Sequence, residues 1–342
     1  MHTEYYSLTG GDGDLAAIKR AGEIIRNEGL VAFPTETVYG LGASALSKSA
    51  ASKIYAAKGR PSDNPLIVHI ADVHDADEIA YTSEAYYKIA EHFMPGPITV
   101  IMPKRDVIPD EVSGGLRTVA VRNPSNPTAR ALISASGVPI AAPSANRSGS
   151  PSPTTAQHVL NDLDGRCDMI IDGGPCEIGV ESTVITIVGD ACRILRPGAV
   201  TEDMLSEVCG IVTVDRAVVD PSSAGAHPSS PGMKYKHYSP NADVILVDAD
   251  DGHFVSYVNS VAGKRDAVFA SADDAAKFTC RVLVTGEHGT ASEENHSLYA
   301  LLRRADEMEL SRVYIKKPPE YGEHLALYNR LIRASAGRIV RP

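Results

Sequence analysis

No stretch of about 18 uncharged apolar residues occurs anywhere in the 342-residue chain, which argues against a membrane-spanning helix. The opening residues, Met1 to Gly13, are polar and rich in glycine, unlike a signal peptide, so the cytoplasm is the expected location. The five cysteines, Cys167, Cys176, Cys192, Cys209 and Cys280, form no CxxC pair. An odd number without that spacing suggests neither a disulfide framework nor a zinc cage, and buried, reduced thiols are expected. There is no GxxxxGK[ST] loop, so ATP cannot be held in the manner of the P-loop NTPases, and no GxGxxG turn, so no dinucleotide is implied. Excess positive charge is also missing. With 33 Lys and Arg against 43 Asp and Glu the net charge is −10, which disfavours strong direct binding of nucleic acid. His74, His158, His227 and His253 show no metal-ligand grouping, tryptophan is absent, and no internal repeat is present.

What is present is ordinary globular material, 43% hydrophobic and long enough for two domains. Apolar alternation predicts strands at Leu30–Pro34, Leu66–Ile70, Ile98–Met102, Val119–Arg122, Ile140–Ala142, Met169–Ile171, Val184–Ile187 and Arg193–Leu195. Helical spacing covers Leu15–Asn27, Ala50–Ala57, Ser83–His92, Pro127–Ser136, Thr154–Leu160 and Glu202–Val208. This is an α/β domain with a large sheet. Around Pro221 the composition turns to Pro, Ser, Gly and Ala, which sustains neither a helix nor a central strand and reads as a linker. Beyond it, strand-like runs at Asp243–Val247, Ala267–Ala270, Arg281–Val284 and Arg312–Ile315 alternate with helical ones at Asn295–Glu309 and His324–Ser335. A small Rossmann-like α/β layer follows. The expected domains are 1–213, a linker over 214–241, and 242–342.

Two polar clusters carry chemistry. Lys58-Gly59-Arg60-Pro61-Ser62-Asp63-Asn64-Pro65-Leu66 sets two cations two residues apart on a turn before an apolar strand. Ala142-Pro143-Ser144-Ala145-Asn146-Arg147-Ser148-Gly149 sets a hydroxyl and an amide two residues apart where a strand ends. Long cations facing short hydroxyl and amide groups suit a polyphosphate and its metal. The linker then runs into Met233-Lys234-Tyr235-Lys236-His237-Tyr238-Ser239-Pro240, and a spacer needs neither two tyrosines nor a histidine. On a mobile segment these groups suit a lid that covers a nucleotide.

In these motifs the chain resembles the threonylcarbamoyl-AMP synthase family, of the kind in which a YrdC-like domain with a large twisted mixed sheet and flanking helices precedes a linker and a C-terminal domain. The resemblance rests on Pro34-Thr35-Glu36-Thr37-Val38-Tyr39-Gly40-Leu41-Gly42, Lys58-x-Arg60 with Asn64-Pro65-Leu66-Ile67-Val68-His69, and Pro95-Gly96-Pro97-Ile98-Thr99. It continues through Val119-Ala120-Val121-Arg122, Ser144-x-Asn146, Glu181-Ser182-Thr183, Leu195-Arg196-Pro197-Gly198 and the linker run from Pro231 to Pro240, in the family's order.

The resemblance implies that L-threonine, bicarbonate and ATP give threonylcarbamoyl-AMP and pyrophosphate, with the product passed to a tRNA threonylcarbamoyl transferase complex for N6-threonylcarbamoyladenosine formation. Threonine's amine carries CO2 as a carbamate, whose oxygen attacks the α-phosphorus. Because both reactants are anions, positive charge and positioning replace a protein nucleophile. The resemblance assigns Lys58 and Arg60 to the phosphates as the catalytic cations, with Asn64, Thr118, Ser144, Asn146, Ser152 and Arg196 on the ATP side and Tyr235, His237 and Tyr238 as the lid. Threonine maps onto Thr37, His69, Arg122, Ala142 and Ser182. Mg2+ accompanies ATP, and no metal-ligand set is readable. Arg122 is the group to pair the amino-acid carboxylate, and His69 either holds the hydroxyl or helps deprotonate the amine.

Taken singly, each feature has a plainer reading. A Lys-x-Arg pair is most often a solvated helix end, Ser-x-Asn is common turn chemistry, a strand histidine is usually a hydrogen-bonded one, and the Tyr-Lys-His-Tyr run would serve to pack a linker. Their joint order outweighs these readings. The rivals are an RNA-binding YrdC-like module without nucleotidyl transfer, a carbamoyl-adenylating maturation factor, whose CxxC zinc elements the chain lacks, and, nearest of the three, an amino-acid-dependent adenylating enzyme with no tRNA role, separated only by the fate of its product.

Overall fold

The computed structural model describes residues 2–11, 13–189, 191–220, 223 and 239–342. These fall into two compact units. The first holds residues through Asp220 apart from Gly149–Pro151 and Ile178–Val180; the second holds those two stretches and residues 239–342. The expected lid residues Tyr235, His237 and Tyr238 lie outside the described residues.

The first unit is built on an 11-stranded mixed sheet. Its strands are β1 (Glu4–Ser7), β2 (Val31–Phe33), β3 (Gly40–Ser44), β4 (Ile67–His69), β5 (Ile98–Pro103), β6 (Thr118–Arg122), β7 (Ile140–Ala142), β8 (Met169–Asp172), β9 (Thr183–Val188), β10 (Ala191–Arg196) and β11 (Val212–Val214), in the order β1-β8-β2-β3-β7-β4-β6-β5-β9-β10-β11. Its helices are α1 (Gly13–Arg26), α2 (Lys48–Lys58), α3 (Ala76–Ile79), α4 (Glu84–Phe93), α5 (Asp110–Ser113), α6 (Pro127–Ser136), α7 (Ala156–Leu163), α8 (Glu202–Cys209) and α9 (Arg216–Val219). Their starts are chemically marked. Ser47 caps α2, Ser83 caps α4, Asn126 caps α6 ahead of Pro127, Thr155 caps α7 and Thr201 caps α8, each side chain accepting from a first-turn backbone N–H.

Alternation along the strands sends one set of side chains to each face of the sheet. One face carries the larger core, including Leu41, Ala43, Val68, Val100, Val119, Val121 and Ala141, packed on Ile54 of α2, Ile89 of α4 and Val159 of α7. The opposite face is divided. Over β2, β7 and β8 it meets α1 and α6, where Val31, Phe33, Ile140, Ala142 and Met169 pack with Ile18, Ile25, Leu132 and Ile133. Farther along, Ile67, Ile101, Ala120, Val184 and Leu195 form a small separate apolar cluster.

The second unit has a five-stranded parallel sheet, β14-β13-β15-β12-β16, from β12 (Asp243–Val247), β13 (Asp266–Ala270), β14 (Arg281–Val284), β15 (Arg312–Lys316) and β16 (Ile339–Val340). Helices α10 (Asp251–Val261), α11 (Ala291–Glu307) and α12 (Leu325–Ala334) alternate with the strands, giving the Rossmann-like layering expected from the sequence.

Several elements were not legible in the sequence, five of them in places that matter to the fold. β1 lies in the polar opening stretch and is held by β8, Tyr5 opposite Ile170. β3 reads Gly-Leu-Gly-Ala-Ser, a turn-like string. A Cβ on Gly42 would stand 2.7 Å from both Ile140 Cγ2 and Phe33 Cε1, so close packing, not strand propensity, explains the glycine. β11 and α9 extend the first unit beyond residue 213, with Val212 paired to Cys192 and Val218 buried. α10 contains Gly252 and three valines, a poor helix former that the Asp250 cap and the burial of Phe254 and Val258 hold in place.

Candidate active site

Register gathers the polar residues at one margin of the small apolar cluster. His69 ends β4 and pairs with Arg122, the end of its parallel neighbour β6. Paired residues share a face, so the imidazole and guanidinium stand side by side. β5 runs antiparallel to β6 with Val100 opposite Val121, which brings Thr99 level with Arg122. Thr99 in turn pairs with Val184, and Val184 with Arg196. Ile67, Ala120, Ile101, Val184 and Leu195 then floor the face, each nearly but not wholly covered except for Val184. Thr118 lies four residues before Arg122 on the same face of β6, about 13 Å away at the usual strand rise. Ala142 is paired with Ile67, midway along.

Arg122 and Glu36 are both buried, 4% and 3% exposed, with Nη2 of the arginine 2.7 Å from Oε1 of the carboxylate. The contact is close in distance but poorly aligned, since both Glu36 oxygens and the Arg122 Nε have no hydrogen-bond partner of proper geometry. Burial of a charge pair is costly unless its remaining donors and acceptors are satisfied. A long contact of 3.5 Å joins Arg122 Nη2 to Thr35 Oγ1, which lies 2.9 Å from Thr37 Oγ1 and donates to the carbonyl of Val38. Thr37 is therefore held in the same loop that presents Glu36.

His69 is 3% exposed and its Nδ1 is 3.2 Å from the carbonyl of Ile67. Burial, reinforced by the Arg122 charge, pushes its pKa down to about 3, so the ring is neutral at ordinary pH. The tautomer that donates from Nδ1 to that carbonyl leaves Nε2 as an acceptor. Phe33 meets the imidazole edge-on with centroids 6.1 Å apart.

Ser182 stands just before β9, fully buried, with its hydroxyl 2.7 Å from Thr99 Oγ1. Arg196 donates to the Ser182 carbonyl through Nε and to its hydroxyl through Nη2, each at 3.0 Å. Residues that the family resemblance sorts into a threonine side and an ATP side thus touch here. Gly198 permits this: a Cβ there would stand 2.4 Å from the Thr183 nitrogen and 2.7 Å from the Glu181 oxygen. Without a side chain the turn after β10 lies directly on the backbone it serves.

The two polar clusters meet through Lys58, in a form the sequence did not foretell. Lys58 is the last residue of α2 and not part of the following loop, and it is 3% exposed. Its Nζ donates to the carbonyls of Ser144 and Asn146 and lies 3.3 Å from Asn146 Oδ1, while its own carbonyl accepts from Ser148. The lysine therefore fastens the 143–148 loop to α2. Arg60 donates to the carbonyls of Asn64 and Pro65 at 3.2 and 3.1 Å, and the buried Asn64 side-chain oxygen has no hydrogen-bond partner. Ser144 donates to Asn146 Oδ1, and buried Ser152 donates to Glu181. Glu36, Thr99 and Glu181 were not singled out by sequence reasoning as site residues. All three stood inside recognised motifs, Glu36 between two threonines, Thr99 at the end of Pro95-Gly96-Pro97-Ile98-Thr99, and Glu181 just before Ser182-Thr183.

Among the described residues no group of three or more His, Cys, Asp or Glu side chains could hold a metal ion. The oxygens around the Lys58 ammonium, the carbonyls of Ser144 and Asn146 and the Asn146 side-chain oxygen, are neutral, which suits a Mg2+ ion held through a nucleotide's phosphates and not by a protein cage. No helix of the described residues is long and apolar enough to cross a membrane.

Comparison with known proteins follows this geometry closely. A family model for Sua5, YciO and YrdC proteins, described as Telomere recombination, matches residues 23–198, and one described as Threonylcarbamoyl-AMP synthase, C-terminal domain, matches residues 200–336. Threonylcarbamoyl-AMP synthase of Bacillus subtilis is 42% identical over 95% of this chain and 94% of its own length. The Pyrococcus abyssi protein of the same name is 42% identical over 95% of each. The crystal structure of P. abyssi Sua5 complexed with L-threonine superposes with a TM-score of 0.91 at 39% identity, covering 100% of both chains. Escherichia coli YciO, at 24% identity and a TM-score of 0.51, shares the fold over 58% of this chain and 96% of its own.

Proposed function

The chain belongs to the threonylcarbamoyl-AMP synthase family and is an enzyme of adenylyl transfer that makes threonylcarbamoyl-AMP for tRNA threonylcarbamoyladenosine biosynthesis, and we propose that the apolar face between Thr118 and Arg122 is where it does so. The observation that carries this placement is Arg122, a buried guanidinium whose Nε has no hydrogen-bond partner and whose ion pair with Glu36 is poorly aligned. An amino-acid carboxylate would supply the two parallel acceptors that Glu36 does not.

On this reading threonine docks with its carboxylate on Arg122 and its hydroxyl donating to Nε2 of neutral His69. A ring with so low a pKa is a poor proton acceptor from an ammonium, which favours the hydroxyl-binding role over the deprotonating one. Thr37, Ala142 and Ser182 complete the threonine side. The threonine nitrogen, carrying CO2 from bicarbonate, presents a carbamate oxygen to the α-phosphorus of ATP. The new O–P bond forms as the bond to pyrophosphate breaks, and no protein nucleophile intervenes. Lys58, Arg60, Asn64, Thr118, Ser144, Asn146, Ser152 and Arg196 hold the nucleotide. Ser144, Asn146 and Ser152 would stand nearest a Mg2+ ion, which when bound offsets phosphate charge. Tyr235, His237 and Tyr238 serve as the lid that keeps water from a labile mixed anhydride. The adenylate then passes to a tRNA threonylcarbamoyl transferase complex.

The test is pyrophosphate release from ATP and Mg2+, with threonine and bicarbonate supplied together or omitted singly, and the nucleotide product followed by mass. Release that needs both co-substrates and yields threonylcarbamoyl-AMP is expected. In the same assay Arg122→Lys keeps a charge beside Glu36 but loses the planar fork. It should raise the KM for threonine by about 10–100-fold while leaving that for ATP near wild type. An unchanged KM for threonine would move the carboxylate away from Arg122.

A further inference from the structure

Two of the five cysteines, 17 residues apart in sequence, meet in the first unit. Cys192, the second residue of β10, points its sulfur at that of Cys209, the last residue of α8, at 2.7 Å. The fold enforces the meeting. α8 crosses back from the end of β10, and β11 then returns alongside it with Val212 level with Cys192, whose backbone N–H donates to the carbonyl of Ile211. Cys192 is 2% exposed, whereas Cys209 is half-buried. Both line a surface cavity of about 290 Å³ together with Glu84 and Lys88 of α4 and Ile187 of β9. A small oxidant therefore has a route to Cys209 with a second thiol directly behind it.

We propose that Cys192 and Cys209 are an oxidisable pair, with Cys209 the thiol oxidised first and Cys192 the resolving thiol, and that hydrogen peroxide converts them to a disulfide, reducible again by thiols, stapling α8 to β10. The chemistry balances without a cofactor. The Cys209 thiolate attacks a peroxide oxygen, the O–O bond breaks, and a sulfenic acid and hydroxide result. The Cys192 sulfur then attacks Cys209, forming the S–S bond and releasing water, so two thiols and one peroxide give one disulfide and two waters. Placement favours this order, since Cys209 is the more exposed of the two sulfurs and Lys88 lines the same cavity, although Glu84 opposes it. Burial together with the neighbouring sulfur raises the pKa of Cys192 to about 12, in keeping with its being the second thiol to react. The staple closes a short loop around β10, the strand that ends in Arg196, and so braces the frame that holds Arg196 on Ser182.

The experiment treats the folded full-length chain with hydrogen peroxide, blocks remaining thiols, and maps peptides without reduction. A cross-linked Cys192–Cys209 peptide, two hydrogens lighter than its parts and released by dithiothreitol, is expected. Half-buried Cys280 serves as the internal comparison and should give adducts or sulfinic acid. The oxidised protein should melt about 5–10 °C higher than the reduced one. That shift should vanish in Cys192→Ser and equally in Cys209→Ser, whose more exposed site tolerates the change. Over-oxidised or blocked Cys209 beside an unmodified Cys192, or a melting shift that survives in either variant, would overturn the proposal.

Discussion

At the scale of single residues, burial decides what the site's polar groups can do. His69 has the type and position of a general base, yet enclosure and the Arg122 charge lower its pKa to about 3 and leave it a neutral hydrogen-bonding ring. A stability effect follows. The unfolded chain takes up a proton at this histidine near pH 6.5, while the folded chain resists protonation until about pH 3, so the unfolded state binds more protons in between. Folding stability should therefore decline as pH falls from 6.5 toward 3, with no contribution from His69 above that range. Urea midpoints of wild type and His69→Gln, compared between pH 7.5 and 4, should diverge progressively, the wild type losing more. Parallel curves would mean that the imidazole titrates normally. The sequence placed His69 at a strand end, but its charge state was illegible because it depends on neighbours 53 and 71 residues away, Arg122 and Ile140.

Among elements, the short connections carry the precision. Lys58 was legible as a cation beside a turn, but the sequence did not say that the helix runs one residue longer and turns the ammonium onto the carbonyls of residues 144 and 146. The Leu195-Arg196-Pro197-Gly198 motif gains its meaning in the same way. Arg196 reaches Ser182 because Gly198 lies against the backbone of residues 181–183. In Gly198→Ala the added methyl meets backbone atoms that cannot rotate aside, so the turn must lift. A loss of roughly 1–3 kcal/mol in unfolding free energy is expected, together with a fall in activity larger than a surface substitution would cause. Denaturant melts and pyrophosphate release on one preparation check both. Wild-type activity in this variant would show that the Arg196–Ser182 contact is dispensable. Two of the strands missed in the sequence, β1 and β3, have residues that satisfy a neighbour's geometry and not their own propensity.

For the whole molecule, the division of labour is testable by cutting the chain. A chain ending at Asp220 retains all of β1 to β11 and α9 with buried Val218, and should fold cooperatively as judged by circular dichroism and thermal melting. It lacks Tyr235, His237 and Tyr238, and should release no pyrophosphate; full activity would remove the lid from the mechanism. The sequence by itself determined the family, the two-unit α/β plan and most element positions, because apolar period, Pro- and Gly-rich breaks and ordered motifs are local properties of the chain. Only the tertiary structure decided that Glu36 shares Arg122, that His69 is neutral, that Ile67, Ile101, Ala120, Val184 and Leu195 make one floor, and that Cys192 meets Cys209. Each of these rests on strand register and burial between segments distant in sequence, and those distances are set when the sheet closes, not by the order of residues within any one strand.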